Sequence, residues 1–266
     1  MKRALILMFT IALLITQNWG VVFASSSEHR LGVNEMLDLA ESEIRQSVNR
    51  YVAQYMERLQ NTIDSGDATI LGRTEPGGGI EEDVYLGQSQ DLYSADSGDC
   101  GISSSAGFYT GASTYNLGSA QQAKAKGTCA GIGQGTHWAW IGEFFQVQGT
   151  GSQLCSINVP VNLYGDMSTF QGTAAVRAQL VIKDITENLE YTEIIEDYSI
   201  SSTGSKTFNG NSYSPTKDVY LRGGHSYLVY VSIATSVDCG FGWSTGKSDF
   251  YGTGFGIVYS RIRLIF

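Results

Sequence analysis

The spacing of apolar residues changes once along this chain, and the change limits what the chain can fold into. From Asn34 to about Asp64, apolar residues recur every three or four positions, which predicts one face of a long amphipathic helix. This stripe consists of Leu37, Ala40, Ile44, Val48, Tyr51, Tyr55, Leu59 and Ile63. From Ile80 onward the spacing falls to two, which is typical of half-buried strands. We therefore predict one long N-terminal helix followed by a β domain.

The predicted helix has recognisable ends but needs a partner. Asn34 is a suitable N-cap, and Gly66 follows the last turn. A helix of this length is not stable alone in water, so its apolar stripe must be buried. Two interpretations stay open: the stripe docks on the β domain of the same chain, or several such helices associate as a stalk and form a homo-oligomer. The absence of strict heptads disfavours the stalk.

The β region shows many short alternating segments. Residues 25–66 are assigned to the helical segment, 67–79 to a glycine-rich linker that contains Pro76, and 80–266 to the β domain. Strands are predicted at Gly107–Tyr115, Trp138–Val147, Ile157–Tyr164, Val176–Lys183, Tyr191–Ile200, Val219–Leu221, Tyr227–Ile233 and Gly256–Phe266. This spacing of strands predicts an antiparallel β-sandwich that is jelly-roll-like.

One hairpin has a familiar pattern. The segment Val219-x-Leu221-x-Gly223 leads into Tyr227-x-Val229-x-Val231. It resembles the hairpin of many bacterial and archaeal exported sandwiches, including carbohydrate-binding modules. The resemblance is generic and identifies no family.

The N-terminus predicts export. Lys2 and Arg3 precede an apolar run that ends in small residues at Ala24, so residues 1–24 are predicted to be a signal peptide cleaved after Ala24. A retained anchor is disfavoured because Gln17, Asn18 and Gly20 interrupt the apolar span. We expect a secreted protein, either extracellular or at the cell surface, without a transmembrane span.

The charge of the chain excludes some partners. The formal net charge is −9, and cleavage after Ala24 would remove two cations and leave −11. Nucleic acids and anionic membrane surfaces are bound by clustered Lys and Arg, so neither is an expected partner.

All four cysteines, Cys100, Cys129, Cys155 and Cys239, lie in the β region. In an exported chain they predict two disulfides. We favour pairing Cys100 with Cys129 and Cys155 with Cys239, although the sequence allows all three pairings. A metal site is disfavoured because no two cysteines have the C-x-x-C spacing.

No catalytic residue and no metal ligand can be assigned. His29, His137 and His225 are the bases available near neutral pH, and none has an identifiable partner. The neighbouring acids Glu196 and Asp197 would point to opposite faces of a strand, as would those at 81–83, so they do not form a glycosidase pair. We expect no cofactor, with a calcium loop around Asp96 and Asp99 as a weak alternative.

The aromatic segment from His137 to Phe145 is the most suggestive one. In a strand, Trp138, Trp140 and Phe144 share one face, and Ala139, Ile141 and Phe145 share the other. Displayed rings would stack on sugars, so the predicted ligand-binding residues are Trp138, Trp140 and Trp243. The alternative is a central strand buried on both sides, with the N-terminal helix packed over it.

The favoured function is a non-enzymatic module that binds carbohydrate or another extracellular surface polymer. Two alternatives remain open. One is a self-assembling structural or adhesive matrix protein, and the other is a polysaccharide-active enzyme.

Overall fold

A computed structural model describes residues 31–64, 82–117 and 121–266. The predicted signal peptide and the glycine-rich linker lie outside these residues. Helix α1 spans Val33–Asp64. The strands are β1 Glu82–Tyr85, β2 Gln90–Leu92, β3 Ser97–Asn116, β4 Gln121–Gln148, β5 Ser152–Asn158, β6 Val161–Asp184, β7 Leu189–Tyr213, β8 Thr216–Arg222, β9 Ser226–Phe250, β10 Gly256–Tyr259 and β11 Ile262–Ile265. The predicted helix is confirmed, although it begins one residue early, so Asn34 lies in its first turn.

Five of the strands are unusually long. β3, β4, β6, β7 and β9 contain 20, 28, 24, 25 and 25 residues, and they pair antiparallel in the order β3–β4–β9–β6–β7. β10 continues the position of β9 between β4 and β6, while β1 pairs with the end of β4 in a parallel manner. Straight strands of this length would run roughly 65 to 90 Å.

The long strands are folded back on themselves. In β3, the Ser113 hydroxyl donates to the Gly101 carbonyl at 3.1 Å. In β7, the ring centroids of Tyr198 and Phe208 lie 6.1 Å apart. In a straight strand these pairs would be separated by roughly 30 to 40 Å. The sheet therefore doubles over, so that its two halves face each other.

The bend occurs at one level, which we call the fold line. One residue in each of four strands has a positive φ there: Gly107 at 67°, Gly131 at 72°, Gln171 at 52° and Ser202 at 71°. In β9, residues 241–244 leave the ladder between its flanking pairs with β4. Such bulges redirect a strand and let it pass from one sheet of a sandwich to the other.

The fold line divides the long sheet into two layers. Layer A contains residues 97–106, 132–148, 172–184, 189–201 and 226–240. Layer B contains residues 109–116, 121–130, 161–170, 203–213 and 245–250, together with β10. The inner sides of both layers contribute to one core, which includes Ala125, Val176 and Val231. This architecture confirms the predicted sandwich, but several strands predicted as separate are halves of bent ones.

The sheet β2–β11–β5–β8 extends layer B. β5 leads into β6 through Pro160, and β7 leads into β8 through Pro215. Proline has no N–H to donate to a ladder, so the long sheet ends at these positions and a second one begins. The inner residues of this second sheet, including Ile157 and Leu221, belong to the same core.

Helix α1 covers the outer face of layer A. Leu37, Ile44 and Val48 of its stripe are buried against Trp140 and Phe144 of β4. The docking interpretation of the stripe is thus confirmed for this part of the helix. The side chains of Leu59 and Ile63 lie outside the described part of the structure.

The predicted disulfide pairing is wrong. The structure contains a single bridge among its described residues, Cys129–Cys239, with a Cα–Cα distance of 6.1 Å, and the thiols of Cys100 and Cys155 are free. The fold line brings Cys129 of layer B close to Cys239 of layer A. Cys155 lies in β5. The residue that pairs with Cys239 is Gly172 of β6, which is 17 residues further along the chain than Cys155. Cys155 is therefore too far from Cys239 to form a disulfide. Burial raises the pKa of Cys155 to about 11, so this thiol stays protonated and unreactive at neutral pH.

Candidate binding site

The structure separates the three tryptophans that the sequence placed in a ligand site. Trp138 and Trp140 are 4% and 0% exposed and lie beneath α1. Their indole N–H groups donate to Glu43 and Ser47 of the helix, each at 3.1 Å. Burial leaves neither ring a face for a ligand, so their predicted binding role is wrong, and the alternative of a strand buried on both sides is confirmed. Trp243, in contrast, is 87% exposed.

Trp243 belongs to a row of exposed aromatic residues on the fold line. Phe108 and Phe170 are 62% and 48% exposed. Phe108 lies in the β3 bulge opposite Gly131, and Phe170 pairs with Thr245, two residues after Trp243. We call Phe108, Phe170 and Trp243 the aromatic ridge.

Sequence reasoning missed two members of the ridge. Phe108 falls within the predicted strand Gly107–Tyr115 and Phe170 falls between two predicted strands, and periodicity marks neither as exposed. The available signal was the adjacent glycine, since Gly107 precedes Phe108 and Gly172 follows shortly after Phe170. Glycines inside strands mark bulges, and a bulge turns a side chain away from its expected face.

Residues 241–244, which leave the β9 ladder and which we call the excursion, carry Trp243 and are held at both ends. Cys239 anchors its start through the bridge to Cys129. At its end, the buried hydroxyl of Ser244 donates to the Gly131 carbonyl at 2.8 Å. Because these contacts fix the flanking backbone, Trp243 is presented from a defined position.

A polar surface adjoins the ridge on the outer face of layer B. Lys247 Nζ lies 2.8 Å from Asp166 Oδ1 and 3.5 Å from Asp249 Oδ2. The hydrogen bond to Asp166 raises the pKa of Lys247 above its usual value. Lys126 Nζ lies 4.9 Å from the ring centroid of Tyr251. Lys247 is therefore paired with carboxylates of the fold, and Ser168, its partner in the β6–β9 ladder, places a hydroxyl on the same face.

The acids considered for catalysis serve as structural partners. Asp197 pairs with Arg177 on the helix-covered side, whereas Glu196 accepts a hydrogen bond from Tyr213 of layer B. The two carboxylates thus point to opposite sides of β7, as the strand geometry predicted. Glu82 and Asp83 lie in β1, and Glu81 is outside the described residues.

His137 and His225 both contact side chains of the fold, while His29 lies outside the described residues. His137 is buried beside Tyr109, and desolvation lowers its pKa. His225 Nδ1 lies 2.9 Å from Asp184 Oδ2, in a contact between two turns of the sandwich.

The proposed calcium ligands are not brought together. Asp99 accepts a hydrogen bond from Ser47 on the helix side. Asp96 is buried on the core side beside Glu143. No group of three or more candidate ligands able to hold a metal ion occurs among the described residues.

Comparisons with known proteins provide little further information. No protein-family model and no curated protein matches the sequence. A family 35 carbohydrate-binding module from Clostridium thermocellum matches with 11% identity over 66% of this chain and 97% of the module, at a TM-score of 0.24. A family 11 module from the same organism, in complex with a mixed-linked tetrasaccharide, matches with 13% identity over 62% of this chain and 88% of the module, at 0.20.

A Cry1Da tryptic core variant from Bacillus thuringiensis matches with 11% identity over 72% of this chain, at a TM-score of 0.25. This chain spans only 25% of that protein. TM-scores this low carry no argument about function.

In the described residues, no helix is both long and apolar enough to cross a membrane.

Proposed function

We propose that this protein is a non-enzymatic extracellular module that binds a glycan through the aromatic ridge. The observation that carries the proposal is the exposure of three aromatic rings along one line of the fold. Trp243, at 87% exposed, is the most accessible large apolar side chain in the described residues. Exposed apolar groups that lie together mark interaction sites, whereas single exposed apolar residues are ordinary.

The chemistry of the ridge suits carbohydrate. The C–H faces of sugar rings are apolar, and their hydroxyls need hydrogen-bond partners. Aromatic rings offer flat apolar area, and nearby polar groups fix the orientation of the ligand. Phe170 and Trp243 supply the flat apolar area. Ser168 and the Lys247–Asp166 pair supply polar groups within a few residues of these rings.

Location outside the cytoplasm is part of the proposal. A bridge between distant residues such as Cys129 and Cys239 forms and persists in oxidising compartments. The predicted signal peptide at residues 1–24 points the same way, and the net charge of −9 disfavours anionic partners.

The test is retention of residues 25–266 on insoluble cellulose, chitin, xylan and mannan, and on cell-wall preparations, under oxidising conditions. We expect retention on at least one polymer, lost in Trp243→Ala. Tyr85→Ala is the matched control, because Tyr85 is an exposed aromatic residue in β1, away from the ridge. Failure of every polymer to retain the wild type, or equal retention of Trp243→Ala, would contradict the proposal.

Self-assembly is the second candidate function, and the edge of the sheet favours it. Among the residues that the structure describes, the 25-residue strand β7 pairs with β6 alone, and such an edge suits strand addition by another copy. Acidic residues along this strand, including Glu193 and Glu196, oppose pairing between copies. Light scattering at increasing concentration separates the candidates, because only assembly predicts growth in mass without a polymer.

A further inference from the structure

We propose that the outer face of layer B continues the aromatic ridge into an extended platform for a neutral, linear polysaccharide. This inference rests on the proposed function and adds the class of ligand and the path it follows. The platform runs from Phe170 along β6 and β5 to a second apolar patch at Leu154, Tyr220 and Ile265.

The alternation of side chains shows that the two ends share one face. Odd-numbered positions such as Cys155, Ile157, Leu163 and Met167 point into the core. The intervening residues therefore point outward, from Leu154 to Phe170. Because Val159 is also a core residue, the pattern passes through Pro160 without a shift. The 16 residue steps from Leu154 to Phe170 correspond to roughly 50 Å of extended chain, which is far longer than one sugar ring.

The far end carries its own apolar surface. Tyr220 is 63% exposed and lies directly opposite Leu154 in the β5–β8 ladder, and about half of the Leu154 side chain is accessible. Ile265 is equally exposed and pairs with Ser156, the next outward position of β5. Side chains at such positions are neighbours on one face of a sheet. The patch is thus contiguous and includes an aromatic ring.

The surface between the ends is polar and able to hydrogen bond. The Ser212 hydroxyl donates to Asn162 Oδ1 at 2.6 Å, and Asn158 Nδ2 donates to the Thr216 hydroxyl at 2.8 Å. These pairs hold the side chains in place and leave other lone pairs and hydrogens for a ligand. Regularly spaced, preorganised polar groups suit the repeated hydroxyls of a polysaccharide.

The charges on this face favour a neutral ligand. The guanidinium groups of Arg261 and Arg263 each lie 3.1 Å from a carboxylate oxygen of Asp91. Near the ridge, Lys247 is shared by Asp166 and Asp249. Each of these three cations is matched by a carboxylate, and an acidic polymer would approach a protein of net charge −9.

The experiment compares ligand length and charge on the folded protein. Binding of residues 25–266 is measured for soluble xylan, glucomannan and amylose, for their trisaccharides, and for polygalacturonate and alginate. We expect a neutral polymer to bind at least about tenfold more tightly than its trisaccharide, because two apolar ends act together. Tyr220→Ala should weaken polymer binding by up to about tenfold and leave trisaccharide binding unchanged, whereas Tyr220→Phe retains both.

The outcomes distinguish the platform from the ridge. If Trp243→Ala weakens polymer binding and Tyr220→Ala does not, the platform is overturned and the proposed function stands. If no carbohydrate binds the wild type, both fail. Tighter binding of an acidic polymer, with affinity that falls as salt rises, would overturn the neutral class. Unfolding curves matching that of the wild type show that each variant is folded.

Discussion

The outer faces of the two layers carry aromatic residues in similar strands, yet only one face is open. On layer A, Trp140, Phe144 and Tyr230 are buried beneath α1. On layer B, Phe170 is exposed, as is Tyr220 on the sheet that extends this layer. Alternation within a strand thus identifies which residues share a face, but an element about 100 residues away decides whether that face is covered. Burial by a distant helix is why aromatic pattern alone misplaced two of the three predicted ligand residues.

Polar contacts fix where α1 covers layer A. Arg177 is largely buried and its guanidinium lies 2.7 Å from Asp38 of the helix and 3.1 Å from Asp197 of β7. Arg45 of the helix lies 2.8 Å from Glu190. These pairs flank the apolar stripe, and they set the register of the helix on the sheet.

The largest expected difference between the faces is in stability. Trp140→Ala removes a fully buried ring from the helix–sheet interface and should lower the free energy of unfolding by about 3 to 5 kcal/mol. Trp243→Ala, on the open side, should change it by less than about 0.5 kcal/mol. Urea unfolding followed by circular dichroism measures both. Similar losses for the two variants would remove the distinction between the faces.

The bridge at the fold line should also matter for both layers. Replacing Cys129 and Cys239 together by serine should cost about 2 to 5 kcal/mol, because the bridge restricts the unfolded chain. The same variant should bind glycan more weakly, since the excursion that carries Trp243 loses its anchor. The matched control is Cys100→Ser, which removes a free thiol. A double variant with unchanged stability would show that the layers need no covalent link.

The inner side of layer A should make stability depend on pH. Glu143 is fully buried, and burial together with the neighbouring Asp96 carboxyl raises its pKa from 4.5 to about 10. Between these values the folded state binds a proton that the unfolded state has lost, so Glu143 makes stability fall as pH rises, by at most about 1.4 kcal/mol per pH unit.

Glu143→Gln should flatten that dependence, because the amide can replace the protonated acid and donate to Asp96. Urea unfolding at intervals from pH 5 to pH 9 provides the measurement. We expect the variant to gain stability over the wild type as pH increases. A gap that stays constant across this range would mean that Glu143 is ionised in the folded protein.

The smallest effect concerns one hydrogen bond beneath the helix. Ser47→Ala leaves the buried Trp140 N–H without its acceptor and should cost about 1 to 2 kcal/mol. Ser42→Ala is the control, since Ser42 is exposed on the same helix. Thermal unfolding of both variants provides the comparison. If Ser47→Ala matched Ser42→Ala, this bond would not help to hold α1 on layer A.

Periodicity predicted much of the fold. It placed the stripe from Leu37 to Tyr55 on one side of a helix, and it put Trp138, Trp140 and Phe144 on one face of a strand. It did not predict the fold line, because Gly107 and Gly131 are two of 32 glycines and a positive φ at Gln171 or Ser202 has no sequence signal. The disulfide pairing and the aromatic ridge both depend on that bend, so the pairing had no sequence signal and the ridge had only the glycines beside Phe108 and Phe170.

The most direct test of the contrast between the faces is oxidation of tryptophan by N-bromosuccinimide, located by mass spectrometry, with and without a retaining polysaccharide. We predict that Trp243 is oxidised first and is protected by the polymer, while Trp138 and Trp140 react only after unfolding. Oxidation of Trp138 or Trp140 as fast as Trp243 in the folded protein, or an unprotected Trp243 in the presence of the polymer, would contradict it.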